Sequence, residues 1–266
     1  MKYELLDSGN QNKLEKFGDY TLIRPCSQAV WKPVLDAKVW KEADGVFTRE
    51  PHNKWVAQPP LPNHWTIELE GVKFKLMPTD FGHIGVFPEH AQLWKWMKGK
   101  IDKKSSILNL FAYTGGASLY AAKLGAEVCH VDASKTTVAW ARENAALNKI
   151  TTVRWIVDDV IKFLRRELKR GSRYDGIILD PPTFGRGSQG EIFKIEKDLS
   201  VILDLCFQLL SDNPRFVVLS CHTPGYTPLV LHHCLSQARE GKIEMGEMVI
   251  PGPLDLTSGC YARWYV

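Results

Sequence analysis

The sequence predicts an α/β fold: a mostly parallel sheet closed by a C-terminal antiparallel hairpin, with a small N-terminal antiparallel β subdomain in front of it. Three observations carry this. First, apolar runs alternate with helical segments from about residue 89 to the end. Second, several of these runs stop at a glycine or polar signal: Ile107-Leu108-Asn109-Leu110-Phe111-Ala112-Tyr113-Thr114-Gly115-Gly116, Glu127-Val128-Cys129-His130-Val131-Asp132 and Ile177-Ile178-Leu179-Asp180-Pro181-Pro182. Parallel strands buried on both faces read as such runs, and ligands of open α/β sheets bind outside their carboxyl ends. Third, the preceding stretch is rich in tryptophan and proline and holds only short alternating runs. The expected domains are residues 1–88 and 89–266.

Within the first domain, Tyr20–Arg24, Trp65–Leu69 and Val72–Leu76 read as strands, the last two joined by Glu70-Gly71, a tight-turn signal. A helix is expected from Glu89 to Lys98, with Pro88 at its start and Ala91, Leu93, Trp94 and Met97 on its apolar face. Strand and helix then alternate: 106–110 and 117–124, 126–131 and 134–147, 153–157 and 159–169, 175–179 and 195–210, 215–220 and 227–238. Two last strands, 243–250 and 259–266, flank Pro251-Gly252-Pro253, too short for a crossover helix, so they pair antiparallel.

A chain of 266 residues can bury a sizeable core. No apolar run approaches the roughly 18 residues of a membrane span. The start, Met1-Lys2-Tyr3-Glu4-Leu5-Leu6-Asp7, has neither the apolar centre nor the cleavage site of a secretory signal, which predicts a cytoplasmic protein. Six scattered cysteines with no C-x-x-C pair argue against a disulfide framework and a structural zinc site, and His232-His233-Cys234 lacks a second ligand pair, so no metal is expected. Net charge is only +4, but Lys162, Arg165, Arg166, Lys169, Arg170 and Arg173 crowd one segment. That segment reads equally as the solvated face of a helix or as a phosphate-facing patch.

The loop after the 106–110 strand names one class of ligand and excludes another. A dinucleotide site needs G-x-G-x-x-G so that a pyrophosphate can approach bare backbone at a helix start. Here glycine comes only at the end, as Gly115-Gly116, which makes a dehydrogenase a distant reading. S-adenosylmethionine carries no phosphate, and its carboxylate suits a loop of backbone and hydroxyl donors. Asp132, 23 positions after Asn109 at the next strand end, is placed to accept both ribose hydroxyls, and it could also cap the following helix. Asp158-Asp159 ends the third strand; Asp159 is the choice for the adenine amine, with an N-cap as its structural alternative.

At these residues the chain resembles a known family. Asn109 to Gly116, Val131-Asp132-Ala133-Ser134, Arg142-Glu143-Asn144 and Asp180-Pro181-Pro182-Thr183-Phe184 are similar to the Rossmann-like class I methyltransferases related to the bacterial 23S ribosomal RNA cytosine-5 methyltransferase I. The similarity runs over roughly residues 80–266. It implies S-adenosylmethionine as cofactor, S-adenosylhomocysteine as product and ribosomal RNA as partner. It implies cofactor contacts from Phe87, Asn109, Phe111, Tyr113, Thr114, Gly115, Gly116, Asp132, Ala133, Ser134, Asp159 and Asp180. Two features depart from the family: no room is left for its N-terminal PUA domain, and its K-T-G-aromatic-aromatic-x-D-Q segment reads here His83-Ile84-Gly85-Val86-Phe87-Pro88-Glu89-His90.

Cytosine C5 is too weak a nucleophile alone; a cysteine thiolate adding at C6 activates it. Cys221, in Ser220-Cys221-His222, resembles the family's nucleophile and is expected at the carboxyl end of the fifth strand. His222 beside it could lower the thiol pKa, although neighbouring strand residues face opposite ways. Asp180 and Pro181 offer acceptors for a base's exocyclic amine, and Phe184 a stacking face. Gly185–Glu191 reads as a mobile loop, with Arg186 as a phosphate contact. The expected activity is therefore methylation of RNA, at cytosine C5 of ribosomal RNA. Two alternatives stand beside it: nitrogen methylation of nucleic acid or a small molecule by the D-P-P-T-F corner, and a non-catalytic RNA-binding protein of the same fold.

Overall fold

In the computed structural model, which describes residues 2–186 and 190–266, the chain divides into two units. One is Met1–Ala91 with Val249–Ser258; the other is Gln92–Met248 with Gly259–Val266. The tip of the C-terminal hairpin thus belongs to the first unit.

The first unit is built on a sheet of order β1-β2-β3-β4-β5, namely Tyr3–Gly9, Asn12–Phe17, Tyr20–Pro25, Gly45–Thr48 and Lys54–Val56, with α1 (Ala37–Lys41) between β3 and β4. It is antiparallel except for β3 and β4, which run parallel because residues 26–44 carry the chain back before β4 begins. A separate hairpin, β6 (Trp65–Leu69) and β7 (Val72–Leu76), turns at Glu70-Gly71 with φ of 50° and 74°. Asn10-Gln11 between β1 and β2 does the same at 48° and 61°. Positive φ at both central residues is the mark of the hairpin turn whose twist matches the strands. Between the buried strands, Arg24 grips Glu15 through two bonds of 2.7 and 2.9 Å. Burial alone would push the Glu15 carboxyl up, but Arg24 and Lys13 outweigh it and hold it below its usual range.

The expected helix near residue 89 is a 3₁₀ turn, Pro88–His90, continued by α2 (Ala91–Met97), with Leu93, Trp94 and Met97 buried. The second unit then alternates as β8 (Ser106–Leu110), α3 (Gly116–Lys123), β9 (Glu127–Asp132), α4 (Lys135–Leu147), β10 (Val153–Val157), α5 (Val160–Arg170) and β11 (Gly176–Leu179). A short hairpin follows, β12 (Phe184–Arg186) and β13 (Ile192–Lys194), then α6 (Ile195–Gln208), β14 (Phe216–Cys221), α7 (Pro228–Ala238), β15 (Lys242–Ile250) and β16 (Leu256–Tyr265). The sheet order is β10-β9-β8-β11-β14-β16-β15. Strands β8 to β11 and β14 are parallel, whereas β16 runs antiparallel to β14. The chain starts at β8, winds outward to β10, and returns to the other side of β8 as β11. The crevice between β8 and β11 is therefore the switch point at which such sheets bind ligands.

The core on one sheet face gathers Leu108, Leu110, Val217, Leu219 and Cys221 with the inward sides of α5, α6 and α7. One expectation needs correction. Gly185 and Arg186 are not loop but strand, paired with Phe193 and Ile192, because buried Phe193 anchors the β12–β13 hairpin. Residues 187–189 of that expected loop lie outside the described residues. No helix among the described residues is long and apolar enough to cross a membrane.

Candidate active site

The residues singled out from sequence collect at the carboxyl ends of β8, β9, β10, β11 and β14. Phe87 is the exception: it belongs to the first unit, where it precedes the 3₁₀ turn with its ring edge-on to His83.

After β8 the backbone is forced into an unusual path. Phe111, Tyr113 and Gly115 have φ of 53°, 49° and 93°. For two aromatic residues this is a costly conformation, on the order of 1–3 kcal/mol each, kept only where the surroundings dictate it. Those surroundings are visible. The Phe111 ring packs on Phe193 at 5.1 Å, the Tyr113 ring lies 6.2 Å from Trp140, and the Tyr113 N–H donates to Asp132 at 2.9 Å. From within the fold, the Asn144 amide donates to the Thr114 carbonyl at 3.0 Å. Gly116 has a packing reason for lacking a side chain: a Cβ there would meet the Trp94 ring at 2.5 Å. The loop ends at the N-terminus of α3, where backbone N–H groups and the helix dipole favour an anion such as a carboxylate.

Asn109 is buried beneath this loop rather than exposed in it. Its amide donates to Ser118 Oγ at 2.9 Å, and Ser118 Oγ lies 3.0 Å from His130 Nδ1. Burial, reinforced by nearby Arg142, pushes the His130 imidazole down to about 3, so it stays neutral.

Asp132 ends β9 with its carboxylate half-buried. It accepts from the N–H groups of Tyr113 and Ser134, both 2.9 Å, and from the Thr137 hydroxyl at 3.0 Å. A carboxylate has about four acceptor positions, so it can still take a ligand hydroxyl. The N-cap of α4 is Ser134, whose Oγ accepts from the Thr137 N–H, and Ala133 links the two roles. Asp159 is the N-cap of α5, accepting from the Lys162 N–H at 2.9 Å. Asp158 accepts from the Asp159 N–H and pairs with Arg166.

At the end of β11, Asp180 Oδ1 accepts from Ser220 Oγ at 2.7 Å and lies 3.3 Å from His222 Nδ1. Pro181 is buried and fixes the chain direction, while Pro182, Thr183 and Phe184 are exposed. Thr183 and Thr223 hydroxyls meet at 2.9 Å, tying this corner to the end of β14. Phe184 is 47% exposed, with the Arg186 guanidinium 5.8 Å from its ring centre.

Cys221 does lie at the end of β14, but its side chain faces the apolar core together with Leu219, away from Ser220 and Asp180. It is 1% exposed, and burial pushes its thiol up, only partly offset by hydrogen bonds from Thr223. His222 pairs with Asp180, and its lowering effect on the thiol is the smallest of the influences there, outweighed by burial. A reactive thiolate needs an electropositive, accessible setting, and this position is neither.

Sequence reasoning missed Ser118, Ser220 and the pairing of His222 with Asp180. Ser220 and His222 carry a readable signal: at a strand end they share a face, and the residue between them points into the core.

The signature of S-adenosylmethionine-dependent methyltransferases matches residues 44–240. The ribosomal RNA large subunit methyltransferase K/L of Shewanella sp. (strain MR-4) is 38% identical over 152 residues, 55% of this chain and 21% of that protein. The chain thus spans about a fifth of the length of that relative. A solved S-adenosylmethionine-dependent methyltransferase from Agrobacterium tumefaciens is 38% identical with a TM-score of 0.96, covering 100% of this chain and 90% of that one. A methyltransferase from Streptococcus mutans, 18% identical with a TM-score of 0.79 over 100% of this chain and 75% of its own, shares the fold. With three quarters of its length inside the signature and a switch-point crevice of matching chemistry, the chain belongs to the S-adenosylmethionine-dependent methyltransferase family.

Proposed function

We propose that the chain transfers a methyl group from S-adenosylmethionine to a base nitrogen of RNA, ribosomal RNA foremost, held at the Asp180-Pro181-Pro182 corner. The observation that carries this reading is Asp180 itself: a partly exposed carboxylate at the switch point, oriented by Ser220 and His222, with exposed Phe184 beside it. The cofactor supplies an electrophilic methyl group on a sulfonium. In this reading Asp132 receives a ribose hydroxyl, the Phe111–Gly116 loop and the start of α3 take the amino-acid tail, and Asp159 takes the adenine amine. Asp180 and the carbonyl of Pro181 accept hydrogen bonds from the base and aim its nitrogen, while Phe184 stacks on it. The name of the Shewanella relative supports ribosomal RNA as the substrate class.

Nitrogen is preferred over cytosine C5 because the carbon reaction needs the Cys221 thiolate, and that thiol is buried and raised in pKa. The C5 reading keeps one observation in its favour, the place of Cys221 at the end of the strand next to β11. Nucleoside mass spectrometry of RNA incubated with the protein and methyl-labelled S-adenosylmethionine separates the two. The expected product is an N-methylated nucleoside, formed equally by Cys221→Ala. A covalent complex with RNA carrying 5-fluorocytosine, lost in Cys221→Ala, would replace nitrogen by C5. Label transfer to small molecules and none to RNA would remove RNA from the proposal.

A further inference from the structure

Every exposed position of α5 is a cation: Lys162, Arg165, Arg166, Lys169 and Arg170. The spacing i, i+3, i+4, i+7, i+8 makes one stripe along the helix, roughly 12 Å long at 1.5 Å per residue. Exposed Arg173 follows just past the C-cap Gly171. The other helices of this unit are not like this. The exposed side of α6 mixes Glu196, Lys197, Ser200, Val201, Asp204 and Gln208, and α4 exposes Glu143, Ala146 and Leu147 beside Arg142.

Helix stability does not explain the stripe. The dipole favours cations at the last turn, which covers Lys169 and Arg170, but it disfavours them near the start, where Lys162 sits. Acids neutralise only part of it. Lys162 pairs with Glu191, Arg166 with Asp158, and buried Glu167 is shared between Arg154 and Arg170. Among the described residues, Arg165, Lys169 and Arg173 pair with no acid.

The stripe also has a direction. It begins where α5 leaves Asp158 and Asp159 at the candidate site, and Lys162 reaches Glu191 beside the hairpin that carries Phe184 and Arg186. It ends at the opposite edge of the sheet, where Arg154 and Arg173 line a cavity of about 530 Å³. We infer that the outer face of α5 is the docking track for the phosphate backbone of the RNA whose base enters the site. This rests on the RNA reading above and adds the surface that delivers it. Evenly spaced cations without base-reading partners position a backbone and carry no sequence information.

The test is fluorescence anisotropy with a labelled RNA hairpin across a salt series, comparing the whole protein with a triple variant, Arg165→Gln, Lys169→Gln and Arg173→Gln. A second triple variant, Lys95→Gln, Lys98→Gln and Lys123→Gln, changes net charge equally on α2 and α3 and the loop between. The α5 variant should bind roughly tenfold more weakly at physiological salt and lose about two units of salt slope, one per phosphate contact with some compensation. Its affinity for S-adenosylhomocysteine should be unchanged, and the control should bind RNA as the parent does. Equal weakening in both variants, or none in the α5 variant, overturns the track and leaves the RNA reading standing. A parent protein that binds no RNA overturns the RNA reading as well. Loss of binding to anionic vesicles in the α5 variant, with RNA binding intact, would assign the face to a membrane.

Discussion

Both ends of the parallel sheet carry carboxylates, and the sheet treats them in opposite ways. At the amino end, Glu167 is fully buried; Arg154 grips it with two bonds of 3.2 Å, Arg170 adds one of 2.9 Å and Tyr174 one of 2.7 Å. Burial would raise its carboxyl, but those donors outweigh burial and hold it at about 2. At the carboxyl end, the Asp180 side chain is 24% exposed and is oriented by a serine and a histidine. A carboxylate saturated by permanent cations does structural work, whereas one that is oriented but still open to solvent can exchange water for a ligand. The comparison separates residues that build the fold from residues that act, and substitutions on each side should separate in the same way.

The largest effect is expected at Asp180. Asp180→Ala should lower methyl transfer by about a hundredfold or more, the scale of a misplaced reactant, with cofactor affinity held within a few-fold by calorimetry. Equal loss of both would make Asp180 a cofactor or folding residue. Glu167→Gln should do the reverse, costing roughly 1–3 kcal/mol of stability because half-exposed Arg154 and Arg170 lose the charged acceptor of their hydrogen bonds, with cofactor affinity retained by the folded protein. Denaturant unfolding reads this directly.

Glu167 also sets an acid limit. Its folded pKa lies below an unfolded value of about 4.3, so its contribution is complete above that pH and is lost as pH falls toward 2. The wild type should therefore lose up to roughly 3 kcal/mol across that window, and Glu167→Gln should show a flatter acid limb. The smallest effect is expected at Phe184: Phe184→Ala should weaken RNA binding by about 1–3 kcal/mol, one stacked base, and leave stability unchanged.

The same contrast explains what could be read from the chain. Strands β8, β9, β11 and β14 are legible because each is a short, mostly apolar run followed by a polar or glycine signal, and parallel burial demands that pattern. Asn12-Lys13-Leu14-Glu15-Lys16-Phe17 is not legible as a strand, because Glu15 sits where an apolar residue belongs and is tolerated through Arg24, nine residues on, with Lys13 and Tyr3. In the site, the strand-end acids Asp132 and Asp180 are legible by position alone. The partnering of Asp180 with Ser220 and His222 is not: it joins the ends of two strands 40 residues apart, a tertiary fact that local spacing does not contain. Likewise the basic segment after residue 160 reads two ways from sequence, and what local spacing does not contain is that every exposed position of α5 is a cation.

The central claim is that the carboxyl edge holds the cofactor and the amino edge holds the fold. Calorimetric titration of S-adenosylhomocysteine into the parent, Asp132→Ala and Glu167→Gln tests it most directly. Binding should weaken by roughly 1.5–3 kcal/mol in Asp132→Ala, the scale of hydrogen bonds lost to a charged acceptor, and stay unchanged in folded Glu167→Gln. Unchanged binding in Asp132→Ala, or an equal loss in both variants, would contradict it.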